Sequence, residues 1–235
     1  MKKFICAVFF IISFIIFPLF QSSLSAEMSV GASTWYCWWK ASGDTNDMNL
    51  KPTLLYGPAA SVRINDSWSI AGVFLYGQFT GKENTDGSPD NISRFDSDLS
   101  LNYNINRYFK LFGGGKLMGF NWDSSQDSGK HWSAGPGLGI GSTLPLVSNL
   151  YLLLNLSGTY SWGKHDGDNN GDNNNGSIKE NTFNTNASLA YYFASASTSV
   201  NLGFRYQYLF IDNPGENKND TFYFYGGTLS VVYSF

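Results

Sequence analysis

Residues 149–162 read NLYLLLNLSGTYSW. Leu150, Leu152, Leu154, Leu156, Tyr160 and Trp162 hold even positions, while Asn155, Ser157, Thr159 and Ser161 hold odd ones. A helix, with its period of 3.6, would scatter the leucines around its axis. A strand turns successive side chains to opposite faces and sorts them cleanly. The stretch is therefore a strand with one apolar face and one face of small polar groups.

The same alternation recurs along the chain. In STSVNLGFRYQYLF, residues 197–210, Val200, Leu202, Phe204, Tyr206, Tyr208 and Phe210 oppose Asn201, Arg205 and Gln207. In SRFDSDLSLNYNI, residues 93–105, Phe95, Leu99, Leu101, Tyr103 and Ile105 oppose Arg94, Asp96 and Asp98. Ten such segments follow one another, near 28–40, 50–64, 67–80, 93–105, 108–122, 132–145, 150–163, 182–194, 197–211 and 221–235. The third and fifth alternate least cleanly, and no helical period competes.

The connections also alternate. Four are short, around Asn65-Asp66, Asn106-Arg107, Val147-Ser148 and Ser195-Ala196, whereas 41–49, 81–92, 123–131, 164–181 and 212–220 are longer and polar. Those five hold 14 of the 18 acidic residues. Short turns at one end and long hydrophilic loops at the other are expected of an antiparallel up-and-down transmembrane β-barrel. Ten strands is the expected number, with eight or twelve as alternatives. An even number returns both chain ends to the short-turn side.

Composition separates this reading from a water-soluble barrel. Charged residues make up 14% of the chain, against roughly 25% in soluble domains. The polar faces carry Ser, Gly, Asn and Thr rather than Lys and Glu, which suits a lumen rather than open water. Aromatic residues, Trp38, Trp68, Trp132, Trp162 and Phe210 among them, fall near segment ends on the apolar face, where interfacial girdles lie.

The N-terminus, MKKFICAVFFIISFIIFPLFQSSLSAE, has two lysines, an apolar run broken by Pro18, and small residues before Glu27. That is a secretory signal over residues 1–26, leaving 27–235 as one barrel domain. Without Lys2 and Lys3 the mature chain holds 13 basic and 18 acidic residues, a net charge of −5, so nucleic acid is not an expected partner. The single mature cysteine, Cys37, excludes an internal disulfide framework.

The last residues, TLSVVYSF, place Leu229, Val231, Tyr233 and Phe235 on one face and end on the aromatic itself. This resembles the closing strand of small outer-membrane β-barrel proteins of Gram-negative bacteria. The resemblance is one of pattern over Met28 to Phe235. It implies export to the outer membrane, lipid as surroundings, and recognition of the Phe235 strand by the barrel-insertion machinery.

Candidate sites lie inside the barrel and on its loops. The lumen face is expected to carry Arg63, Arg94, Asp96, Asp98, Lys110, Lys116 and Arg205, with Trp35, Trp39 and Cys37. A bore this small can be filled by side chains, and charges of both signs would form an ion-pair network. Asp96 and Lys116 are expected nearly opposite each other. Gly135, Gly137, Gly139 and Gly141 share a face, as expected where lumen side chains pack on bare backbone.

In KHDGDNNGDNNNGSIKE, residues 164–180, Asp166, Asp168, Asn170 and Asp172 match the opening of a calcium loop, but Ser177 stands where the closing Glu belongs. Weak calcium binding is the most this supports; no other cofactor is expected. His131 and His165 sit at the loop ends of strands, where surface proteases of the omptin type place acid and histidine pairs. No motif of that family is present, and no catalytic residue is assigned. The expected role is a structural or surface-binding barrel with a largely filled lumen. The alternatives are a narrow porin-like channel for small solutes and a surface hydrolase.

Overall fold

A computed structural model describes residues 27–42, 50–81, 91–123, 128–169, 172–213 and 218–235. Ten strands occupy them: β1 (Met28–Ser42), β2 (Thr53–Arg63), β3 (Trp68–Thr80), β4 (Asn91–Asn104), β5 (Phe109–Asp123), β6 (Ser128–Val147), β7 (Leu150–Asn169), β8 (Asp172–Phe193), β9 (Thr198–Asn213) and β10 (Lys218–Ser234). Each pairs antiparallel with its neighbours in sequence, and β1 pairs with β10, closing the barrel. Closure satisfies every strand edge, the condition for a sheet to cross lipid.

The chain ends are part of that closure. The Met28 amide donates to the Phe235 carbonyl at 3.1 Å, and the Phe235 amide donates back at 2.9 Å. The terminal aromatic is thus a ladder residue.

The short turns are built by local side-chain acceptors. Asn65 Oδ1 accepts from the amides of Ser67 and Trp68, both at 2.9 Å. Asn106 Oδ1 does the same for Tyr108 at 2.8 Å and Phe109 at 3.0 Å. These are Asx turns, which tie the chain reversal to one side chain. Asn149 and Ser197 take positive φ at the other two turns, 63° and 46°.

Side chains sort by parity as the sequence implies. Leu138, Leu154, Leu202, Leu229 and Phe235 face outward, and the outer surface is a continuous apolar belt. From the level of Leu150 and Tyr191 to that of Trp162 and Lys179 the ladder runs 12 residues. At about 3.3 Å per residue and a tilt near 40°, this is roughly 30 Å of height, enough to cover a hydrocarbon layer.

Two expectations need correction. Segment 164–181 is mostly ladder rather than loop: β7 continues to Asn169 and β8 begins at Asp172, with Asp168 opposite Asn173. Backbone pairing alone extends the hairpin, even though its side chains are too polar for alternation to mark. Within it, Glu180 is no loop acid; it is fully buried in the lumen. Asp96 and Lys116 do lie nearly opposite: Lys116 stands directly opposite Asp98, one inward position from Asp96, and reaches Asp96 at 2.8 Å.

Candidate functional site

The lumen divides into two unlike halves. Toward the long loops it is filled by apolar side chains. Trp39 is the hub, with ring centroids 5.2 Å from Phe79, 4.9 Å from Phe120, 5.8 Å from Phe222 and 4.9 Å from Phe224. Leu55, Leu75, Ile92, Met118, Ile178, Leu209 and Ile211 pack around these rings. In this half the inward positions of β3 and β5 include Leu75, Phe79, Met118 and Phe120, so both faces of these strands are apolar here. That is why their alternation is blurred in sequence.

Beneath this plug lies a charged layer. Asp96, fully buried, meets Arg94 at 2.8 Å, Lys116 at 2.8 Å and Arg205 at 3.2 Å. Asp98 adds Lys116 at 3.1 Å and Arg205 at 3.3 Å. Gln207 accepts from Arg94 at 3.1 Å and from Arg205 at 3.4 Å.

Two further nitrogens of Arg94, Nε and Nη1, have no hydrogen-bond acceptor among the described residues. Its guanidinium instead lies over Phe224 at 3.7 Å, with Trp35 and Phe120 at 5.2 and 5.5 Å. Arg205 lies over Trp35 at 4.5 Å. Ring faces carry negative quadrupole charge and hold cations where water is excluded. The layer thus joins the ion pairs below to the aromatic plug above.

Arg63 and Lys110 share the lumen face but not this cluster. Arg63 pairs with Glu27 at 2.7 Å at the short-turn mouth, where both are exposed. Lys110 has no ion pair among the described residues, and its Nζ lies 5.6 Å from the Phe112 ring centre. Trp35, Cys37 and Trp39 are buried inside.

Toward the short turns the lumen is an open cup of about 700 Å³. Its wall is rich in Ser, Thr and Asn side chains, with Lys110 and Phe112 from β5, and Asp98, Lys116 and Arg205 form its floor.

A second buried polar group went unnoticed in sequence. Glu180 on β8 reaches across β7 to β6, where it bonds His131 Nε2 and accepts from the Ser133 hydroxyl. Gly163 of β7 makes the crossing possible, since a Cβ there would lie 2.2 Å from the Trp132 carbonyl and 2.8 Å from the Ser133 Cβ. His165 packs edge-on to His131 at 6.1 Å and stacks on Trp122 at 5.1 Å. Glu180 is the shared partner of both His131 and Ser133. The imidazole therefore does not address the hydroxyl, and this is a strut between strands rather than a serine–histidine relay.

Of the calcium motif, Asp166 is exposed on β7 and the backbones of Asp168 and Asp172 lie in the ladder. Asn170 and the side chains of Asp168 and Asp172 lie outside the described residues.

No protein-family model matches the chain, and no curated protein matches it in sequence. Solved structures do resemble it. The translocator domain of the autotransporter NalP from Neisseria meningitidis matches with a TM-score of 0.50 at 13% identity, covering 93% of this chain and 91% of that one. Neisserial surface protein A matches at 0.44 and 13% identity, covering 90% of this chain and 100% of that one. Ail of Yersinia pestis matches at 0.31 and 13% identity, covering 89% and 97%. At such identity the likeness is one of fold, and the translocator domain carries it: the chain is a closed antiparallel β-barrel like that outer-membrane domain.

Proposed function

We propose that the protein is a sealed barrel of the outer membrane, with a structural or surface-binding role carried by its long-loop end. Export would use residues 1–26 as signal, and assembly would use the β10 strand ending at Phe235. The long-loop end then faces the outside and the cup faces the periplasm. One observation carries the reading: five aromatic rings and seven aliphatic or thioether side chains close the outer half of the bore, on a floor of mutually paired charges. A solute crossing this barrel would have to displace Trp39 and Phe224, and with them the buried guanidinium of Arg94.

The polar cup favours one rival, a narrow channel for small solutes in which the plug swings aside. Liposome swelling separates the two. Proteoliposomes carrying the barrel should swell in arabinose no faster than empty liposomes. Swelling at the rate of a porin would make the channel the better reading.

A further inference from the structure

The cup holds an excess of positive charge. Its wall includes four basic residues, Arg63, Lys110, Lys116 and Arg205, and two acidic ones, Glu27 and Asp98. Deeper in, Arg94 and Asp96 offset each other. Glu27 is taken by Arg63, and Asp98 is shared between Lys116 and Arg205. The recess, blind and walled by lipid-facing sheet, therefore carries an excess of two positive charges among the described residues; one is shared within the Arg94–Lys116–Arg205 cluster, and the other sits on Lys110, which has no ion pair there. Such walls have low dielectric and focus the field into the opening.

Lys110 is where that excess becomes a site. It stands opposite Gly141, and Gly141 stands opposite Asn155 on the next strand. A Cβ on Gly141 would lie 2.5 Å from Lys110 Cε and 2.6 Å from Asn155 Oδ1. The missing side chain lets the lysine stem and the Asn155 amide lean over the same stretch of bare backbone from its two sides. Thr143, Ser157 and Thr159 line the same side of the cup. Hydroxyls and amides both donate and accept, so this wall can follow a ring of hydroxyl groups while the ammonium holds an anion.

We propose that the cup binds a small, hydroxyl-rich anion of the sugar-phosphate class, its phosphate held by Lys110 and its hydroxyls by the Asn155 side of the wall. The volume of about 700 Å³ lies within the range of small-molecule pockets. The ligand enters and leaves by the short-turn mouth.

The test is calorimetric titration of the mature barrel, in neutral detergent micelles, with glucose 6-phosphate, glucose and inorganic phosphate. Glucose 6-phosphate should bind at least tenfold more tightly than either of the others. Lys110→Met should weaken it at least tenfold, and Lys110→Arg should restore most of the loss, with the folded, heat-modifiable form retained in both. Equal binding of glucose and glucose 6-phosphate would overturn the proposal. So would equal binding of inorganic phosphate, no effect of Lys110→Met, or no binding of glucose 6-phosphate. The inference rests on the sealed-lumen reading, and the failures are distinguishable: swelling with binding intact removes the seal alone, while no binding in a non-swelling barrel removes the site alone.

Discussion

Asp96 faces three cations within 3.2 Å and has no exposed surface. Removing it leaves Lys116 and Arg205 with Asp98 and leaves Arg94 with Gln207 as its polar partner. Stripping one partner from a buried charge group costs about 3–5 kcal/mol. Asp96→Ala should therefore lower stability by about that amount in reversible unfolding. Asp98→Ala should cost clearly less, because the Asp98 side chain is 37% exposed and water can replace it. Equal costs would mean that Asp96 is not the hub. At this scale the sequence conveys which face a residue occupies, because strand parity fixes it. Arg94, Asp96, Asp98, Lys116 and Arg205 are inward for that reason. Parity says nothing of height along the axis, which depends on the stagger between strands. Sequence reasoning therefore grouped Arg63 and Lys110 with a cluster that lies well above Arg63. His131 is legible in sequence only as a loop-end residue, and Glu180 only as a loop acid, because a polar neighbourhood disguises the ends of their strands as loop.

Among the elements, the clean strands were legible because one face meets lipid and the other a polar cup. β9 is the best example, and it supplies a test of the faces. Leu202 is exposed on the outer belt while Asn201 lines the cup. Leu202→Arg should destabilise the barrel by about 2–4 kcal/mol, the cost of a guanidinium in the mid-bilayer, and Asn201→Arg should cost less; equal losses in lipid unfolding experiments would mean the faces are reversed. β10 supplies a second test. Deleting Phe235 removes both main-chain bonds to Met28 and the outward aromatic at the membrane edge. The truncated chain should show reduced outer-membrane yield and lose heat-modifiable migration, and wild-type behaviour in both assays would contradict its role in closure. The β7–β8 hairpin supplies a third. Asp166, Asp168, Asn170 and Asp172 should bind calcium weakly if at all, no tighter than the order of 10⁻⁴–10⁻³ M of extracellular calcium modules. Calorimetry with Asp168→Ala as control checks this: a tight site lost in the variant would show a real calcium loop, and no heat at millimolar calcium would end the idea.

At the scale of the whole molecule, the fold follows from ten amphipathic strands, closed edges and a belt roughly 30 Å high. The lumen does not follow so directly. A bore of this size can be filled or left open, and the choice rests on how residues far apart in sequence stack at one height. Trp39, Phe79, Phe120, Phe222 and Phe224 come from four separated segments, and only closure brings them into contact. Their stacking gives the molecule its asymmetry, an aromatic plug on the long-loop side and an open, polar and basic cup on the other. The sealed reading makes this plug the barrier to passage through the barrel. Planar-bilayer recording of the purified protein beside a Trp39→Ala/Phe224→Ala double variant tests it most directly. The wild-type barrel should show no steady conductance, and the variant, with its two central rings removed, should show discrete openings. Large, stable conductance from the wild-type protein, unchanged in the variant, would contradict the sealed lumen.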